Sequence, residues 1–210
     1  MISRIGEGKG TKPAVRRSYK IEVNALAEGW EYLKHLDAGY DRAPVLRDMM
    51  DAYGNDVWNY AFFLTKRPEA ADDVAQEVFL AAYNGLYGFR GGCTVKSWLL
   101  TITRNKALHV VQSAFIRRVT LTDRIVRKDA APSAEANALE GMENHALWEA
   151  VLRLPRKYRE VLVLDYHYGL TLREIAALLR ISEGTVKSRS HRAKKQLNAM
   201  LSEDGKGEEA

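Results

Sequence analysis

Apolar side chains recur along this chain at the three-to-four-residue period of amphipathic helices. The strict alternation that marks a half-buried strand is scarce. Between Glu22 and Asp37, Val23, Leu26, Ala27, Trp30, Leu33 and Leu36 fall on one stripe, which predicts a short helix ended by Gly39. A larger block follows. Pro44 suits a first helical turn, and Val45, Leu46, Met49, Met50, Tyr53, Val57, Tyr60, Ala61 and Leu64 supply a long apolar face. Pro68 opens a second helix, closed by Gly85 and Gly88. After the loop FRGGCT a third runs from about Val95 to about Arg117, with Val95, Trp98, Leu99, Ile102 and Leu108 as its core set. Periodicity then fades through RKDAAPSAEANALEGMEN, a composition suited to a tether, and a domain boundary belongs there. Helical spacing resumes near Asn144. Leu147, Val151 and Leu154 form one face, and Pro155 restarts a helix carrying Tyr158, Val161, Leu162 and Leu164.

The last helical pair, LTLREIAALLRISEGTVKSRSHRAKKQLNAML, holds the densest chemistry. Thr171 with Glu174 three residues on is a capping-box start. Leu172, Ile175, Ala176 and Leu179 then share one face, Ile181 packs the turn, and Ser182 can cap a second helix. In that helix Val186, Ala193, Leu197 and Met200 continue the buried stripe, leaving Lys187, Ser188, Arg189, Arg192, Lys194 and Lys195 outside. A helix-turn-helix sets the start of such a second helix in the DNA major groove, with flanking cations on phosphates. This pattern predicts a DNA reader rather than a solvated hairpin.

Charge refines that picture. The formal net charge is only +5, so the clustering of Lys and Arg in the last helix matters more than the total. Cys93 is the only cysteine, which excludes a disulfide framework and a cysteine-based zinc site. His109, His145 and His191 have no second ligand at metal spacing. GEGKGTK, near the start, lacks the earlier glycine and preceding strand of a phosphate loop. No apolar run approaches the roughly 20 residues of a membrane-spanning helix, and the N-terminus lacks the apolar segment of a secretory signal. The expectation is a soluble, cytoplasmic protein without cofactor or metal. It has no acid–base pair, activated nucleophile or metal cluster that would make it an enzyme.

Several separated segments, taken together, resemble one family. ADDVAQEVFLAAYNGLYGFRGGCTVKSWLLTITRN is similar to a D-D-x-x-Q-E-x-F segment followed by F-R-G, S/T-W-L and R-N. LPRKYREVLVLDYHYGLTLREIAALLRISEGTVKSRSHRAKKQL follows the second half of the same pattern. Both segments resemble the bacterial RNA polymerase sigma-70 family, and the likeness is greatest to its compact extracytoplasmic-function (ECF) branch. The resemblance implies an all-α fold of two helical modules, sigma domain 2 and sigma domain 4 with its helix-turn-helix, on a flexible linker. The corresponding divisions are 1–40 as an N-terminal extension, 41–117, a linker at 118–143, 144–201, and an acidic tail at 202–210.

It further implies core polymerase as partner, through the beta-prime clamp helices and the beta flap, together with promoter DNA and an anti-sigma factor. Asp72, Asp73, Gln76, Glu77 and Phe79 are then expected to dock on polymerase. Phe89, Arg90, Lys96, Ser97, Trp98, Arg104 and Asn105 are expected at the minus-ten element, where an unstacked base can be held by a pocket or an aromatic ring. Lys106 can contact backbone or base edges, and the register of Trp98 equally suits the core. Thr171, Glu174, Ser182, Thr185, Lys187, Ser188, Arg189, Arg192 and Lys195 are expected at the minus-thirty-five element, with Lys194 on phosphate. Val95 stands where the family often carries an aromatic residue. The alternative is a stand-alone helix-turn-helix regulator with residues 41–117 as a sensor or dimerisation domain.

Overall fold

Helix α1 (Arg42–Thr65) begins where the Asp41 carboxylate accepts the Ala43 N–H at 3.0 Å. It ends at Lys66, whose left-handed backbone (φ 59°) lets its N–H reach the Phe62 carbonyl at 2.7 Å. The computed structural model describes residues 29–31, 33, 41–120 and 145–207. Pro68, which needs no N–H partner in a first turn, opens α2 (Pro68–Gly85). A single 3₁₀ turn (Leu86–Gly88) and a loop lead into α3 (Val95–Thr120). At Gly85 an added Cβ would lie 3.2 Å from the Trp98 ring, which would have to give by a few tenths of an ångström.

These three helices pack on one another around Met49, Val57, Ala61 and Phe63 of α1, Val74, Val78 and Ala82 of α2, and Leu99, Leu100 and Ala107 of α3. Each large apolar side chain so buried contributes about 1.5–3 kcal/mol. Two details differ from the periodicity. Met50, placed on the apolar face, is exposed. In α3, Trp98, Ile102 and Leu108 are half-buried, while Leu100, Thr103 and Ala107 are fully buried. Thr103 reaches the core without penalty because its hydroxyl donates to the Leu99 carbonyl at 2.8 Å.

The second module begins with α4 (His145–Arg153), and Pro155 separates it from α5 (Arg156–Leu162). Buried Arg159 bridges that break by donating to the carbonyls of Leu152 (2.7 Å) and Leu154 (3.4 Å), two acceptors left over at the end of a helix. A π-helical turn (Val163–His167) and Gly169 (φ 64°) re-aim the chain into α6 (Leu172–Leu179). Helix α7 (Glu183–Gly207) lays Ala193, Leu197 and Met200 on Leu154, Tyr158 and Leu162. It continues to Gly207, past residue 202 where the sequence pattern predicts a frayed tail. Among the described residues there is no strand. The expected helix over 22–37 lies outside the described residues apart from 29–31 and Leu33, which is buried.

Both modules fall in one compact unit, Glu31–Ala210. Among the described residues the helices of the two modules meet along a seam. Phe63 of α1 lies 5.0 Å from Trp148 of α4 between ring centroids, and Tyr60 lies 5.7 Å from Tyr168. His167 fills the angle between Phe63, Trp148 and Tyr168. Burial pushes its imidazole below the ordinary value, with Asp56 pulling it up and Lys96 adding to the fall. A base whose folded pKa is depressed binds fewer protons folded than unfolded, so stability is retained at neutral pH and lost as pH falls through its ordinary range near 6.5. Thermal unfolding at pH 7.5 and 5.5 is expected to show a lower midpoint in acid, with part of the difference absent in His167→Phe.

Arg180 supplies the helix-turn-helix corner with φ 56°, a left-handed conformation that glycine adopts without strain. Arg180→Gly is therefore expected to raise stability by up to about 1 kcal/mol, read as a higher denaturation midpoint.

Candidate polymerase and promoter interfaces

Helix α2 turns an acidic, amide-bearing face outward. Asp72, Asp73, Gln76 and Glu77 are all exposed. Asp72 accepts the Trp58 indole N–H at 2.7 Å, and Glu77 pairs with Lys106 of α3 at 3.0 Å, so two of the four are held in place. Phe79 lies on the other side of the helix. It is 7% exposed and points into the module, because Val74, Val78 and Phe79 occupy the inner side of the helix. The apolar residue on the outer face is Leu80, 63% exposed, which periodicity did not single out. With Asp73, Gln76, Glu77, His109, Val110 and Ser113 it lines a groove of about 530 Å³ between α2 and α3. Leu80 is thus an exposed apolar side chain among mostly polar neighbours.

The loop and the start of α3 hold the expected minus-ten residues in a more enclosed setting than the sequence implies. Phe89 is buried and packs on Trp98 at 5.1 Å, so its ring is engaged rather than presented. Arg90 is exposed, and its guanidinium donates to the Tyr87 carbonyl at 2.6 Å. Lys96 pairs with Asp56 of α1 at 3.0 Å and lies over the Tyr168 ring. Ser97 is buried and donates to Glu174 of the second module at 3.2 Å. Arg104 points at Glu160, with 3.4 Å between Nε and Oε1. Asn105 is exposed on α3. Cys93 is exposed in the loop, with burial and the nearby Glu174 charge raising its thiol pKa.

The helix-turn-helix is built by its caps. Glu174 Oε2 accepts the Thr171 N–H (2.9 Å) and hydroxyl (2.7 Å), while the Thr171 hydroxyl accepts the Glu174 N–H at 3.3 Å. Burial opposes ionisation of Glu174, but hydrogen bonds from Thr171 and Ser97 outweigh it and hold the carboxyl below its ordinary pKa. Ser182 accepts the Thr185 N–H at 3.1 Å at the start of α7, the two hydroxyls lie 2.9 Å apart, and Ser188 donates to the Thr185 carbonyl at 3.0 Å. Thr171, Glu174, Ser182 and Thr185 thus hold local structure in this state. Lys187, Ser188, Arg192 and Lys195 are exposed along α7, and Arg189 is half-exposed. Lys194 is drawn back over the Tyr166 ring (4.9 Å), and a hydrogen bond with the Tyr166 hydroxyl raises its pKa. Among the described residues no group of acids, histidines and cysteine could hold a metal, and no helix is long and apolar enough to cross a membrane.

A three-helix module with an acidic outer face, followed by a module ending in a basic helix-turn-helix, has recognisable relatives. Residues 49–120 match the family model described as Sigma-70 region 2, and residues 144–197 match Sigma-70, region 4. The chain is therefore an RNA polymerase sigma factor of the sigma-70 type.

Its relatives narrow the assignment. The chain is 30% identical over 179 residues to the ECF RNA polymerase sigma factor BldN of Streptomyces coelicolor, spanning 84% of this chain and 67% of that one. It is 32% identical over 165 residues to SigL of Mycobacterium tuberculosis, spanning 78% and 92%. For SigW of Bacillus subtilis the identity is 29% over 165 residues, spanning 73% and 87%. The chain belongs to the ECF sigma factors. The fold agrees with the sigma factor RpoE solved with the anti-sigma factor NepR from Bartonella quintana, at TM-score 0.64 and 21% identity over 76% of this chain and 98% of that one. It also agrees with CnrH solved with the cytosolic domain of CnrY, at TM-score 0.59 and 24% identity over 82% and 96%. The stand-alone regulator is not favoured by these relatives.

Proposed function

We propose that this chain is a dissociable promoter-specificity subunit. It binds core RNA polymerase, reads minus-ten and minus-thirty-five elements, and promotes strand opening at the start site. The observation that carries this reading is the order of two sigma regions on one chain, with an acidic docking face in the first and a basic recognition helix in the second. Asp72, Asp73, Gln76 and Glu77 orient the docking face toward the beta-prime clamp helices, and Leu80 supplies apolar contact. Lys187, Arg189 and Arg192 read base edges in the major groove, while Lys195 holds phosphate. Arg90, Lys96, Arg104 and Asn105 meet the minus-ten strand. The catalysis of phosphoryl transfer belongs to the polymerase, and the chain itself is not an enzyme. It works in the cytoplasm, where core polymerase acts, with the beta flap as a second contact. An anti-sigma protein is the expected inhibitor, as for the sigma factors solved in complex with NepR and CnrY.

The test is a mobility-shift titration of promoter duplex with the chain alone, with core alone and with both. Tight, sequence-dependent binding only with both supports the reading. Tight binding by the chain alone contradicts it.

A further inference from the structure

The corner of the helix-turn-helix carries a residue that its backbone does not favour. Helix α6 closes as a Schellman turn. The Arg180 N–H reaches the Ala177 carbonyl at 3.3 Å, and the Ile181 N–H reaches the Ala176 carbonyl at 3.0 Å. Such a closure sets the residue after the helix in the left-handed region, and Arg180 stands there with φ 56° and ψ 50°. Glycine is the usual occupant and asparagine the second choice, because a larger side chain crowds the following carbonyl.

Strain of this kind persists where another requirement outweighs it. Nothing within the chain supplies one. Arg180 is exposed, and among the described residues its guanidinium has no hydrogen bond, ion pair or ring partner. Glu183, three residues on, is exposed too and does not pair with it. The other non-glycine residue with positive φ, Lys66, is by contrast engaged within the chain.

Position supplies the requirement. Arg180 stands two residues before Ser182, whose hydroxyl caps α7 by accepting the Thr185 N–H at 3.1 Å. In a helix-turn-helix the first residues of the second helix enter the major groove, while the first helix crosses the sugar–phosphate backbone. The corner between them falls at the rim of the groove, where phosphates rather than base edges are within reach. Exposed cations flank it along the chain, Arg173 in the first turn of α6 and Lys187 in the second turn of α7. A guanidinium brings a planar fork of donors that matches a phosphate.

We propose that Arg180 is a phosphate clamp at the rim of the minus-thirty-five groove. It grips the DNA backbone beside the N-terminus of α7 and fixes the register in which that helix enters the groove, without itself reading sequence. The stability that glycine would confer at this corner is forgone for a cation held against the duplex. The assignment rests on the promoter-reading function proposed above.

The test uses holoenzyme assembled from purified core polymerase and the full chain, unsubstituted or carrying Arg180→Gly, Arg180→Gln or Arg180→Lys. Binding to a labelled fragment bearing a start site that depends on the chain is followed from about 50 to about 200 mM salt. A second fragment has its upstream element scrambled. Arg180→Gly and Arg180→Gln are expected to reduce the slope of log affinity against log salt by about 0.9, the loss of one phosphate contact. At about 0.1 M salt that is a fall of roughly eightfold, equal on the two fragments. Arg180→Lys should keep the slope. Arg180→Gly should also raise the denaturation midpoint, so that binding and stability move in opposite directions, which a merely structural residue would not give. A slope unchanged in both Arg180→Gly and Arg180→Gln overturns the clamp. So does a fall confined to the intact fragment, which would make Arg180 a reader of bases. A fall in affinity for core polymerase with the slope unchanged overturns it as well, and would set Arg180 against a protein. If unsubstituted holoenzyme binds no better than core alone, the sigma reading fails and takes the clamp with it. Core-dependent binding with an unchanged slope sinks the clamp alone.

Discussion

Replacing Lys187, Arg189 and Arg192 together by alanine is expected to abolish transcription that depends on the upstream promoter element, by about a hundredfold or more. Each well-made side-chain pair with a base edge is worth about 1–3 kcal/mol, so two such pairs and one phosphate contact carry the drop past two factors of ten. The fold should survive. The three side chains lie on the outer side of α7, away from Ala193, Leu197 and Met200, and alanine is the better helix former. Quantitative start-site transcription on templates with and without the upstream element separates the effect from general loss of activity. The variant should retain core binding. An equal fall on both templates would mean that these residues do not read that element.

The second large effect is expected at the docking face. Leu80→Asp removes an exposed apolar anchor from the groove between α2 and α3 and adds a charge beside Asp73 and Glu77. A central anchor in a contact of this kind is worth about 2 kcal/mol or more, so affinity for core polymerase should fall by roughly 30-fold or more. Because Leu80 faces outward, thermal stability should change by less than about 0.5 kcal/mol. Core binding followed by anisotropy of a labelled chain checks the first expectation, and a melting curve checks the second. An unchanged Kd would remove Leu80 from the interface.

The helices themselves were legible because burial imposes a period. Pro44, Pro68, Pro155, Thr171 and Ser182 mark first turns or starts of helices where the structure has them, each by a local mechanism that needs no tertiary context. Register within a helix was less legible. Phe79 reads as a partner contact beside Glu77, yet one residue of rotation, about 100°, separates outward Leu80 from inward Phe79. Thr103 reads as polar until its bond to the Leu99 carbonyl is seen.

The seam was the least legible feature. Ser97 and Glu174 stand 77 residues apart, and nothing local to either specifies the other. Sequence patterns name Lys96 and Arg104 as cations available to DNA; in the folded chain they sit against Asp56 and Glu160. Long-range polar pairing of this kind emerges only once the modules are packed. It changes the reading of the site, since Lys96, Ser97 and Arg104, expected at the promoter, are each paired with another side chain of the same protein.

The central claim is tested most directly by transcription of fragmented genomic DNA with purified core polymerase, with and without this chain, followed by mapping of RNA 5′ ends. The account predicts discrete start sites that appear only when the chain is added and share two spaced upstream motifs. Start sites identical with and without the chain, or none in either case while a known sigma factor supports initiation by the same core, would contradict it.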